Sequence, residues 1–114
     1  MKARIALVAI AVLGVTLVAA PTASADRVSL SITRVSNDIA DYTGRVKARK
    51  ERCERRRTVQ ILQVQPPLFI GQTLTDDHGK YLLEEFAPAA GTQIKAVVAQ
   101  KRKCKPLETV ATTP

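Results

Sequence analysis

The residues in this chain best able to do chemistry are cations. Between Arg45 and Arg57 the sequence sets Arg45, Lys47, Arg49, Lys50, Arg52, Arg55, Arg56 and Arg57 against only Glu51 and Glu54, and Lys101, Arg102, Lys103 and Lys105 surround Cys104. Such density suits capture of a polyanion through charge and guanidinium hydrogen bonds: an anionic cell-wall polymer, an acidic polysaccharide, anionic lipid headgroups or extracellular nucleic acid. The competing reading is a solvated loop in a basic protein. No aromatic residue interrupts the run to stack bases, so sequence-specific nucleic-acid recognition is the least expected of these.

Other chemistries find little support. His78, the sole imidazole, stands in a turn-forming stretch, and Ser29 and Ser31 lie on the polar side of an alternating segment with no G-x-S-x-G elbow. Glu84 and Glu85 are adjacent, so strand alternation sends them to opposite faces rather than pairing them as acid and base. Asp76, Asp77 and His78 lack the number and spacing of calcium-loop ligands, and two cysteines without suitably spaced partners do not form a zinc site. The expectation is a protein that is not an enzyme and uses no cofactor or metal.

The start of the chain places the protein outside the cytoplasm. Lys2 and Arg4 precede an apolar run from Ile5 to about Ala20, and Ala23-Ser24-Ala25 supplies the small residues a signal peptidase needs. Residues 1–25 are thus expected to be a cleaved secretory signal peptide, with an uncleaved anchor as the alternative. No later segment is apolar enough to span a bilayer, so the mature protein is expected to be secreted or held in the cell envelope. Removing 25 of 114 residues leaves 89, enough for one domain whose small core would benefit from a covalent staple. Without Lys2 and Arg4 the formal net charge of +8 falls to +6. In an oxidising compartment the two cysteines, Cys53 and Cys104, are expected to pair. That bridge would bring the two basic groups to one end of the domain. The candidate polyanion-binding residues are then Arg49, Lys50, Arg52, Arg55, Arg56, Arg57, Lys101, Arg102, Lys103 and Lys105.

The elements that must position these groups read as strands, because apolar residues recur at every second position over short runs. Val28, Leu30 and Ile32 form one such run, and Tyr42, Gly44, Val46 and Ala48 another. From Thr58 to Gln65 the apolar phase changes between Ile61 and Leu62, which suggests a bulge or burial on both faces. Pro66-Pro67 ends that strand, and Leu68, Ile70 and Leu74 are in phase in the next. Asp76-Asp77-His78-Gly79 is expected to turn a hairpin into Lys80–Phe86, and a last strand runs from Thr92 to about Lys101. Six strands at this spacing suggest an all-β sandwich. Residues 106–114, rich in turn formers, are expected to be a short flexible tail.

The succession Tyr42-Thr43-Gly44-Arg45-Val46, Cys53, Arg57-Thr58-Val59-Gln60-Ile61, Ile70-Gly71-Gln72-Thr73-Leu74-Thr75-Asp76, His78-Gly79-Lys80-Tyr81, Lys95-Ala96-Val97-Val98 and Cys104 resembles small exported bacterial modules with a prealbumin-like, carboxypeptidase-regulatory-like sandwich. The likeness covers roughly residues 41–105. It implies an antiparallel Ig-like β-sandwich of six to seven strands with one disulfide, acting as a support or binding module. The internal Lys–Asn crosslink of similar adhesin modules is not expected, since the only asparagine, Asn37, precedes the matching region. Transthyretin-like enzymes use more than one histidine, so their chemistry is not carried over. The expectation is a non-catalytic exported module whose specific function the sequence leaves unassigned, with binding of an anionic surface polymer through its basic patch as the first candidate. A structural or protein-interaction module using a sheet edge or face is the alternative, and a small hydrolase or inhibitor the remotest.

Overall fold

The computed structural model describes residues 25–114. The expected signal peptide lies, except for Ala25, outside the described residues. Eight strands follow in order: β1 (Arg27–Val28), β2 (Ser31–Arg34), β3 (Ile39–Lys47), β4 (Thr58–Gln63), β5 (Leu68–Leu74), β6 (Lys80–Phe86), β7 (Gln93–Val98) and β8 (Leu107–Thr112), with one 3-10 turn at Glu51–Cys53. They make two four-stranded antiparallel sheets. In the first, β1 and β2 lie end to end along one edge of β3 while β6 lies along the other. The second has the order β5-β4-β7-β8.

Alternation explains the core between the sheets. Ala40, Tyr42 and Val46 of β3, Val59 and Ile61 of β4, and Ile94, Ala96 and Val98 of β7 are fully buried, while their neighbours along each strand point outward. Val28, Leu30 and Ile32 pack onto the same core, as their spacing requires. At Gly44 the edge ladder is interrupted by the Tyr81 phenol, which donates to the carbonyl of Ser29 at 2.7 Å. A Cβ at position 44 would collide with both groups, so glycine is required there.

The all-β sandwich and the Cys53–Cys104 bridge stand as expected, and three local expectations are corrected. Lys80–Phe86 does not form a hairpin with the preceding strand. The 76–79 turn exists, with Gly79 at φ 82° and Asp76 Oδ1 accepting from the backbone N–H groups of His78 and Lys80, but it carries the chain from one sheet to the other. Leu68 and Leu74 are half exposed rather than in the core. The register steps from Ile61↔Gly71 to Leu62↔Phe69, so Ile70 is the extra residue of a bulge and the inward phase passes to Gly71 and Thr73. Residues 107–112 are a paired strand, not a frayed tail. Leu107, Thr109 and Ala111 alternate with Glu108, Val110 and Thr112, and Thr113 closes the end with its backbone N–H and hydroxyl both donating to the Thr92 carbonyl.

Candidate functional site

At one end of the sandwich the loop between β3 and β4 meets the loop between β7 and β8. Cys53 and Cys104 join them, with Cα atoms 5.4 Å apart and a sequence separation of 51. The first loop is shaped locally. Glu54 folds back to accept the Ala48 backbone N–H at 2.9 Å, and Cys53 closes the 3-10 turn onto the Lys50 carbonyl. The second is a tight turn in which Lys101 and Cys104 exchange both backbone hydrogen bonds, leaving Arg102 and Lys103 at its tip. Arg102 and Arg56 both have φ 52°, a left-handed conformation that costs a non-glycine residue roughly 1–3 kcal/mol. The Gly or Asn usual at such positions is replaced by arginine in each loop.

The meeting loops enclose a cleft of about 370 Å³ lined by Arg49, Lys50, Lys103 and Lys105, with Cys53 and Cys104 in its wall and Ala25 and Asp26 at its side. Arg52 and Arg102 line an adjoining groove that shares Lys103 with the cleft. The bridge therefore juxtaposes six of the ten sequence candidates, in two depressions with one lysine in common.

The remaining four candidates have other surroundings. Arg57 is not on the surface at all; it is 1% exposed and forms the underside of the site. Its Nη1 donates to the Cys53 carbonyl at 2.6 Å, and its Nη2 to the carbonyls of Lys105 at 2.7 Å and Ala99 at 3.1 Å. Its backbone N–H donates to Thr75 Oγ1, which in turn donates to the Glu54 carbonyl. Burial lowers the Arg57 pKa, an effect opposed by the charge of Asp26. As a direct polyanion contact Arg57 is thus corrected to an internal clamp whose charge acts from beneath. The signal was present in the sequence, since Arg57 shares strand parity with the inward Val59 and Ile61. Lys101 is tethered by its Nζ to the Arg55 carbonyl at 3.0 Å. Arg55 itself is exposed, and exposed Arg56 lies 3.9 Å from Asp77, a geometry worth little in water.

Sequence reasoning missed Asp26. Its Oδ1 accepts the backbone N–H of Arg49 at 3.1 Å, a contact that depends on backbone placement rather than residue pattern. His78 sits in its turn with its carbonyl accepting from Arg45 Nε, and Ser29 Oγ accepts from the Arg45 backbone N–H. Among the described residues no group of three or more His, Cys, Asp or Glu side chains is placed to hold a metal ion, and no helix is long and apolar enough to cross a membrane.

Exposed apolar side chains also occur on β5 and β6, edge strands of opposite sheets. Leu68, Phe69, Leu74, Leu82 and Phe86 are each about half exposed there, and Leu74 and Leu82 share a shallow cleft with Arg45 and Lys80. No family model, no curated protein and no solved structure matches the chain.

Proposed function

We propose that this is an exported, non-catalytic β-sandwich module that captures an anionic surface polymer at its disulfide end. The observation that carries this reading is the convergence of Arg49 and Lys50 from one loop with Lys103 and Lys105 from the other on a single cleft. Secretion or retention in the cell envelope belongs to the same proposal, as does membership among prealbumin-like, carboxypeptidase-regulatory-like modules; the disulfide, the leader-like start and the two-sheet architecture support them.

The test is retention of the oxidised domain on immobilised heparin beside a variant carrying Arg49→Ser, Lys50→Ser and Lys103→Ser. Elution well above physiological salt, lost in the variant, is the expected result. Equal retention of both would remove polyanion capture as the function of this cleft.

A second reading, a structural or protein-interaction module, is favoured by the five exposed apolar side chains on β5 and β6. It expects the triple variant to keep its partner, and a Phe69→Ser, Leu82→Ser variant to lose it.

A further inference from the structure

The end of the expected leader and the basic cleft coincide. Ala23-Ser24-Ala25 supplies the cleavage pattern, and Ala25 and Asp26 line the cleft formed by Arg49, Lys50, Lys103 and Lys105. The junction is held in place from its C-terminal side. Asp26 accepts the Arg49 backbone N–H, and the next residue, Arg27, is already paired with Lys47 in β1. Whatever is bonded to the Asp26 nitrogen is therefore fixed at the cleft wall. In the uncut chain that group is the carbonyl of Ala25, part of a neutral amide.

We propose that removal of the leader completes the anion site. Hydrolysis of the Ala25–Asp26 peptide by the export peptidase consumes one water, leaves a carboxylate on the departing Ala25 and leaves an α-ammonium on Asp26. The mature cleft gains a fifth cation beside Arg49, Lys50, Lys103 and Lys105 and loses Ala25 from its side. The Asp26 carboxylate stays hydrogen-bonded to the Arg49 backbone N–H, which keeps the residue that carries the new charge at the cleft. This inference rests on the reading of the cleft as a polyanion site.

The test compares three oxidised chains: 26–114 with a free terminus, 26–114 acetylated at Asp26, and 21–114, which keeps five leader residues but none of the apolar run. All strands among the described residues fall between Arg27 and Thr112, so each chain contains both sheets of the sandwich. Binding of a heparin hexasaccharide is measured by titration calorimetry at pH 6.5, below the ordinary α-amino pKa of about 7.7–8.0. The free terminus is expected to bind about fivefold tighter than both others, with equal melting temperatures for all three. Fivefold corresponds to ~1 kcal/mol, the attraction of two unit charges about 4 Å apart in water. Equal, tight binding by the free and acetylated chains would overturn the role of the new terminus and leave polyanion capture standing. Binding by none of the three would overturn both.

Discussion

Replacing Arg57 by alanine tests whether the floor of the site is a clamp. The guanidinium donates three hydrogen bonds to carbonyls on two loops, those of Cys53, Ala99 and Lys105. Hydrogen bonds to a charged group contribute about 1.5–3 kcal/mol each, which summed over the three bonds would exceed what one side chain delivers. Two corrections apply. The carbonyls of Ala99 and Lys105 are only part-buried and regain water when the side chain is cut back. The guanidinium also gives back its own desolvation cost, the burial effect that lowers its pKa. The net loss expected for Arg57→Ala is about 3 kcal/mol, and with a urea m-value of roughly 1.5 kcal/mol/M the midpoint falls by about 2 M. Arg57→Lys should lose at least half as much, because a compact ammonium cannot reproduce the planar fork across three carbonyls. Equilibrium urea unfolding of the oxidised domain provides the measurement. A midpoint shift under about 0.5 M for alanine, or a gain in stability for Arg57→Met, would refute the clamp and mark the buried charge as a net liability.

Two further predictions follow from the same structure. Changing Cys53 and Cys104 together to serine should cost about 4 kcal/mol, the chain-entropy value for a loop of this length, and should lower the salt at which the domain leaves immobilised heparin; unfolding and elution measurements on one preparation check both. Burial raises the phenol pKa of Tyr81 and, with a smaller opposing effect from Arg34, that of Tyr42. An acid whose folded pKa is raised stays protonated after its unfolded counterpart has ionised, so native stability should fall as pH rises above about 10. Urea midpoints between pH 9 and 11 should decline in the wild type and decline less in Tyr81→Phe; a flat profile would contradict the assignment.

The strand pattern was legible because a sandwich core imposes a period of two, and Val28, Tyr42, Val46, Val59 and Ile61 obey it. The phase change at Ile61–Leu62 also announced a bulge, although the inserted residue is Ile70 on the neighbouring strand. Less was readable where one local signal serves two global outcomes. Asp76-Asp77-His78-Gly79 specifies a turn, but nothing in a turn states whether the following strand pairs with its predecessor or crosses to the opposite sheet. Composition misled at the C-terminal end, where Leu107–Thr112 includes good strand residues in Val110 and its threonines and pairs once β7 offers an edge. At the disulfide end, charge density marked the two segments that the bridge joins but could not rank their members. Counting cations treated Arg57 like Arg55 and Arg56, whereas strand parity separates it from Arg56 and its place directly before β4, which begins at Thr58, separates it from Arg55.

The two ties across the disulfide end act on opposite sides of the folding equilibrium. In the chain-entropy account the bridge works mainly by restricting the unfolded ensemble, since it denies the free chain the conformations in which positions 53 and 104 are far apart. Arg57 does nothing for the unfolded chain, where its donors are satisfied by water; it rewards only the folded arrangement that presents three carbonyls at once. A reduced molecule that still folds thus keeps the same loops gripped, while an oxidised Arg57 variant keeps them linked without holding them in register. Covalent connection sets how much disorder is forfeited on folding, and the guanidinium determines which ordered geometry the linked loops adopt.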